Sequence, residues 1–314
     1  LAPVIFLLVN RYMVGTDYYH YERMYIDYVK YNYINFEYGI AALIKISNEI
    51  GWGFKGFLFL CSIIGPFLSI AAIKRQCNLK YFPIAVLTYL IIFFGPACNI
   101  MAQVMAISFV ILSIEQMLKK KWIFSIILCI IGSLFHIATL VMIPAYCAYS
   151  LEKKKKVKFA SISIIILVGL FAFSPNMLSE ILNWIGLGRY GNYIKDDKIN
   201  TFLYLLIYRL PLILLELLYY RNIIKDSEYY QFYYFLIVLE IASCFLGIGI
   251  AWAGRLAYFF SITHVFLVAK ILEVTKNSNE RLIVKIIIIA YLIIEFYMMH
   301  FFSEFDGIVK YQFI

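Results

Sequence analysis

A small set of amide and ionisable side chains interrupts otherwise apolar stretches of this sequence: Asn99, Gln103, His136, Arg209, Glu216, Glu240, Arg255, His264 and Glu295. Groups of this kind are costly in an apolar environment and mark functional sites by default. Arg209 stands just before Pro211, less than halfway along its apolar run, too deep for a solvated surface charge. Arg255 opens another run directly after the glycine-rich GIGIAWAG, with Tyr258 one helical turn on. Two arginines converging on a cavity suit an anionic ligand, because the planar guanidinium fork matches phosphate oxygens. The competing reading pairs each arginine with a helix carboxylate such as Glu216 or Glu240. Glu216 and Glu295 read as structural partners. His136 is either a satisfied structural histidine or a group that transfers a proton. Asp17 and Glu37 are carboxylates able to take a proton from a hydroxyl or merely to fold their loop.

Several chemistries have no signature here. There is no glycine-rich phosphate loop, no HExxH and no Cys/His spacing of the zinc type. Glu304-Phe305-Asp306 has the form of a two-carboxylate metal motif but lies in a short terminal tail. The expectation is chemistry without a metal or other cofactor. The six cysteines are scattered through apolar segments with no CxxC, as small buried hydrophobes would be.

These residues need a scaffold, and composition bounds it. Of 314 residues, 63% are hydrophobic and 15% charged, with a mean hydropathy of +0.82. A soluble domain carries about 25% charged residues. The expected fold class is an all-α polytopic membrane protein, a single transmembrane domain over residues 1–314 with about eleven transmembrane helices. The formal charge of +9 suggests nucleic acid only until its positions are read. Most Lys and Arg fall in short hydrophilic breaks (Lys74–Lys80, Lys119–Lys121, Lys153–Lys158, Arg221–Lys225 and Lys270–Lys285), the pattern of cytoplasmic loops. Basicity therefore records topology, and no nucleic-acid partner is implied.

With those breaks inside, residues 1–9 end a first span that leaves the cytoplasm. The sequence starts at Leu1, within an apolar run, so this span is read as truncated. Residues 10–53 form a long external segment. Residues 54–73, 81–94, 100–117, 159–173, 201–220, 229–246, 256–272 and 283–299 are the further full spans, 174–200 is a second external segment, and the C-terminus is external. Residues 122–150 are apolar, yet basic runs on both sides require an even number of crossings. Two helices in 29 residues reach only about 21 Å each, short of the roughly 30 Å hydrocarbon core. A short or re-entrant hairpin follows, with its tip near residues 133–136 and His136 upon it. Such a hairpin is tolerated where it is buried in protein or lines an aqueous cavity. In the first external segment, RYMVGTDYYHYERMYIDYVKYNYIN is dense in tyrosine, and most of these tyrosines read as interfacial anchors. After it, FEYGIAALIKISNEIG spaces Ile40, Leu43, Ile44, Ile46 and Ile50 as an amphipathic helix lying on the membrane surface.

Taken in order, RYMVGTDYYHY, FEYGIAALIKI, residues 99–106, LFHIATLVMIPAY and GRLAYFF resemble the EpsG-like family of bacterial polysaccharide polymerases, related in role to the Wzy polymerases of O-antigen and capsule. The resemblance extends over nearly the whole chain, although each motif is short. The family's Arg-Tyr and Gly-x-Asp-Tyr element corresponds to Arg11, Tyr12, Gly15, Asp17 and Tyr18. Its Glu-x-Gly-Tyr element corresponds to Glu37 and Gly39, with Ile40 in place of tyrosine. Its histidine motif lands on His136, and its late Arg-x-x-Tyr on Arg255 and Tyr258. One departure stands out: the family's Asn-x-x-Arg-Gln reads Asn99-Ile100-Met101-Ala102-Gln103, so Ala102 replaces an arginine.

The resemblance implies polymerisation of undecaprenyl-pyrophosphate-linked oligosaccharide repeat units at the external face of the bacterial inner membrane. It implies Asp17, Glu37 and His136 as proton-handling residues, and Arg11, Tyr18, Asn99, Gln103, Arg255 and Tyr258 around substrate and pyrophosphate; Arg209 joins that set on its depth in an apolar run alone. Its partners would be the lipid-linked oligosaccharides, membrane lipid and a chain-length regulator. The alternatives are a flippase of the same lipid-linked sugars or another membrane glycosyl- or acyltransferase. A transporter often shows paired repeats and matched broken helices, and neither is visible in this sequence.

Overall fold

The computed structural model describes residues 2–34, 36–151, 201–249, 254–302, 307–309 and 311–313. The span expected at 159–173, the segment at 174–200, part of the glycine-rich turn (250–253) and the Glu304–Asp306 pair lie outside the described residues. Apolar runs fold as helices because a segment deprived of water must satisfy its amides internally. Among the described residues, Gly53–Gln76, Phe82–Asn99, Met101–Leu118, Ala257–Val274 and Ser278–Phe302 are long and apolar enough to cross a membrane. Leu203–Leu218 and Tyr220–Asp226, bent by 54° at their junction, make a sixth if counted as one span. The protein is a helical membrane protein.

The chain divides into two compact units, Leu1–Ile143 with Phe296–Ile314, and Pro144–Glu295. The first contains α1 (Ala2–Asn10), α2 (Tyr18–Tyr31), α3 (Tyr38–Glu49), α4 (Gly53–Gln76), α5 (Phe82–Asn99), α6 (Met101–Leu118) and α7 (Trp122–Ser133). Helix α6 is its axis, buried along most of its length and packed on α4 and α7. Small polar residues let α6 and α7 approach: Ser125 Oγ donates to the Ser113 carbonyl at 3.0 Å, and the Ser113 hydroxyl lies 3.1 Å from Cys129 Sγ. At the far end of α4 and α6, Glu115 binds Arg75 at 2.8 Å and Lys119 at 2.7 Å. Residues near the C-terminus return to the turn after α1, where Tyr12 N–H donates to the Gln312 carbonyl at 2.8 Å.

Helix α7 is 12 residues long, about 18 Å at 1.5 Å per residue. It stops at 134–136, where the amides of Phe135 and His136 both return to the Gly132 carbonyl. A 3₁₀ turn, Ile137–Val141, then packs back on α7 before α8 (Met142–Leu151) begins. The bend thus falls where the hairpin tip is expected.

The amphipathic segment is helical, as its periodicity predicts: α3 buries Ile40, Leu43, Ile44 and Ser47 and packs on α4, while Ile46 and Ile50 are exposed. The tyrosine-rich stretch forms α2 and the turns at its ends; Tyr18, Tyr21 and Tyr25 are buried in a core with Ile40, Ile44, Phe57 and Met101 rather than left at a surface, while Tyr19, Tyr31 and Tyr33 are exposed. Spacing of three and four residues puts the buried rings on one helix face.

The second unit contains α9 (Thr201–Leu218), α10 (Tyr220–Asp226), α11 (Gln231–Gly249), α12 (Ala257–Phe260), α13 (Ile262–Val274) and most of α14 (Ser278–Tyr297). Helix α13 is buried from Ile262 to Leu272, which puts its polar His264 in the centre of the unit.

Candidate functional site

Two points of close backbone approach assemble the candidate site in the first unit. The first joins the α1–α2 turn to the end of α5. Gly15 has φ of +94°, and a Cβ there would sit 2.1 Å from the Cys98 carbonyl oxygen. Only glycine meets both demands. Beside it, Asn99 Oδ1 accepts from Thr16 Oγ1 at 2.5 Å and from the Asp17 amide at 3.0 Å. Asn99 thereby satisfies a polar group at the entry to α2, where helix amides lack partners of their own. The Asp17 side chain caps nothing, although Asp17 occupies the N-cap position. Its carboxylate stays half-exposed at the positive end of the helix dipole.

The second approach joins the start of α3 to the 134–136 bend. Gly39 N–H donates to the Leu134 carbonyl at 2.6 Å, and a Cβ on Gly39 would meet that oxygen and the Phe135 ring at 2.8 Å. This contact brings the α3 N-cap residue, Glu37, to the bend that carries His136. The Glu37 side chain makes no cap hydrogen bond. His136 is extended, and its Nδ1 accepts from the Ala138 amide at 3.3 Å. An accepting Nδ1 carries no proton, so the neutral ring holds its proton on Nε2.

Arg11 is wholly buried. Its Nη1 donates to the Leu8 carbonyl at 2.5 Å and its Nη2 meets Met101 Sδ at 2.7 Å, while Nε has no hydrogen-bond partner among the described residues. No carboxylate pairs with it there either. Leu8 and Met101 also line a void of about 10 Å³, enough for one water. Tyr18 packs edge-on against Phe54, and burial, reinforced by the charge of Glu22 and opposed by Arg11, pushes its phenol up to about 12. Gln103 is buried on α6.

Ala102 is closed off. Its amide donates to Tyr21 Oη at 3.2 Å, and its side chain is buried in the α2 tyrosine cluster. Ile40 is buried in the same cluster.

The model of the EpsG family matches residues 2–313. The chain belongs to the EpsG family. No curated protein and no solved structure matches it.

The remaining candidates of this EpsG protein lie in the second unit. Arg255 is exposed at the turn before α12, and its carbonyl accepts from the Tyr258 amide at 3.3 Å; Tyr258 itself is buried. Arg209 has the surroundings of the ion-paired alternative. Its Nη1 lies 2.7 Å from Glu240 Oε1 and its Nε 3.0 Å from Glu295 Oε1, all within the core. Ser261 Oγ donates to Glu240 at 2.7 Å. His264 continues the chain, with Nε2 2.9 Å from Glu240 and Nδ1 2.9 Å from Glu216. Glu216 and Glu295 are thus partners within the bundle, and His264 is the link that sequence spacing left unassigned. Among the described residues no group of three or more His, Cys, Asp or Glu side chains is placed to hold a metal ion.

Proposed function

We propose that this EpsG family protein is a glycosyltransferase that polymerises lipid-linked oligosaccharide repeat units at the external face of the bacterial inner membrane. In this reading the chain crosses the membrane about eleven times, with the 134–136 bend as the tip of a short re-entrant hairpin and α2 and α3 on the external side. A hydroxyl oxygen of one undecaprenyl-pyrophosphate-linked unit attacks the anomeric carbon of another chain's reducing-end sugar. A new glycosidic bond forms as the bond from that carbon to the pyrophosphate oxygen breaks. Undecaprenyl pyrophosphate leaves with the electron pair, and the acceptor proton passes to a carboxylate, Glu37 or Asp17. His136 Nε2–H donates to an oxygen whose charge grows in the transition state. Asn99 and Gly15 hold the segment that carries Asp17, and Gly39 holds Glu37 against the histidine bend.

The observation that carries this reading is the environment of Arg11. A buried guanidinium without a carboxylate costs several kcal/mol, and one kept beside the family motifs is suited to an anion that arrives with the substrate. Pyrophosphate meets that description, and fixed cations stabilise the charge that develops as it departs. Arg209, by contrast, is committed to its carboxylates.

The test is reconstitution. Purified protein in lipid vesicles, supplied with lipid-linked repeat units from its own cell, is expected to yield a ladder of longer glycans. Arg11→Gln should reduce the rate by about 10²–10³, the scale on which loss of one transition-state donor is felt. An undiminished ladder from the variant would remove Arg11 from the mechanism, and no ladder from the wild type would overturn the polymerase reading.

A further inference from the structure

A second polar feature of the first unit is not used by the scheme above. On α2, His20, Arg23, Met24 and Asp27 are spaced to share one helix face. The chain leaves α2 through Asn32, whose φ of 50° is left-handed and whose amide returns to the Tyr28 carbonyl. That reversal carries the next residues back along the helix, so that the Phe36 ring lies 6.1 Å from the His20 ring and 6.0 Å from the Tyr21 ring. Between helix and returning chain is an open cleft of about 370 Å³, lined by His20, Arg23, Met24, Asp27, Tyr33 and Ile34. Among the described residues, neither Arg23 nor Asp27 is engaged in an ion pair or side-chain hydrogen bond.

We infer that this cleft is the subsite that holds the acceptor oligosaccharide, and the inference rests on the polymerase reading. Three observations converge on a neutral polyhydroxylated ligand. The volume is in the range of small-molecule sites and accommodates about two sugar rings. The lining alternates in character: Asp27 accepts only, Arg23 donates only, and His20 does either, which is the complement of vicinal hydroxyls that both donate and accept. Tyr33, Met24 and Ile34 supply an apolar wall for the C–H face of a pyranose, as aromatic and apolar side chains do when one side of a ligand is dry and the other wet. The opposed charges of Arg23 and Asp27 disfavour a polyanion, which separates this cleft from the Arg11 environment.

Its position completes the case. Phe36, at the His20 end of the cleft, directly precedes Glu37, and Gly39 fixes that segment to the bend carrying His136. A glycan lying along α2 has its end directed toward the groups assigned to proton transfer.

The probe is the repeat-unit oligosaccharide released from its lipid by mild acid hydrolysis, so that no pyrophosphate remains. Saturation-transfer NMR with the full chain in nanodiscs should show contact for the wild type. Asp27→Asn, Arg23→Gln and Tyr33→Ala should each weaken binding about tenfold, and Arg11→Gln should leave it unchanged. All three side chains are exposed or half-exposed, and melting temperature, read in parallel, should not move. In the ladder assay the same variants should raise the acceptor KM about tenfold with kcat retained. Absence of binding to the wild type, equal binding by the three variants, or displacement of the glycan by inorganic pyrophosphate would each overturn the inference. Wild-type ladders with variants indistinguishable from wild type would overturn the cleft but leave the polymerase standing. Specific glycan binding without any wild-type ladder would leave the cleft a glycan site and overturn both the polymerase and the cleft's role as its acceptor subsite.

Discussion

Arg11 and Arg209 are both buried arginines in apolar surroundings, yet the chain treats them oppositely. Arg209 reaches Glu240 and Glu295 within 3.0 Å, and the network runs on through His264 to Glu216. Arg11 has a backbone carbonyl and a thioether, with no carboxylate among the described residues. Burial of a cation is tolerated when its partners travel with the fold, and Arg209 illustrates that arrangement. A cation left with neutral partners is costly to the fold. The difference teaches that burial alone does not mark an arginine as a ligand-binding candidate; the presence or absence of a carboxylate partner among the described residues separates the two cases.

The comparison can be broken most forcefully at Arg209. Arg209→Gln leaves Glu240 and Glu295 without their cation, and removal of one partner from a buried pair costs about 3–5 kcal/mol. Thermal unfolding of the purified variant should show that loss, and adding Glu240→Gln and Glu295→Gln should recover part of it. An unchanged melting temperature would mean that the network is not structural. Arg11→Gln should behave in the opposite manner, with stability held or improved while polymerisation collapses.

A smaller effect is expected at the bend. Gly39→Ala forces a methyl group toward the Leu134 carbonyl and the Phe135 ring, at 2.8 Å in the present geometry. Overpacking of this kind costs about 1–3 kcal/mol. It should also separate Glu37 from the His136 bend, so the ladder rate should fall by more than the stability loss explains. A rate that tracks stability alone would dissociate the α3–bend contact from function.

The smallest effect is assigned to Asn99. Asn99→Ala removes the acceptor for the Thr16 hydroxyl and the Asp17 amide. Loss of a capping acceptor costs about 1 kcal/mol. Hydrogen exchange should quicken at the first turn of α2 and stay unchanged along α6; uniform exchange would show that Asn99 does not order that turn.

The long helices were legible in the sequence because hydropathy over 18 or more residues admits few other folds. The bend after α7 was legible from arithmetic, since 29 residues between two basic flanks cannot make two full spans. Helix α2 was not. Its Tyr18, Tyr21 and Tyr25 follow helical spacing, but tyrosine serves equally as an interfacial anchor, and only the facing Phe54 and Phe57 of α4 decide the matter. The Arg209 network was legible only as an alternative. Glu240 and Glu295 are 31 and 86 residues away in sequence, and helix register, which sequence spacing does not supply, brings them to the same guanidinium. Arg11 posed the reverse problem. Asp17 and Glu22 lie close to it in sequence, and nothing in their spacing says that neither pairs with it.

The most direct test is the affinity of the purified full chain in nanodiscs for a short-chain polyprenyl pyrophosphate, measured for wild type and Arg11→Gln at equal lipid composition. If Arg11 is held without a counter-ion in order to receive this leaving group, Arg11→Gln should weaken binding at least tenfold while the melting temperature holds. Equal affinity for wild type and Arg11→Gln would contradict the account at its centre.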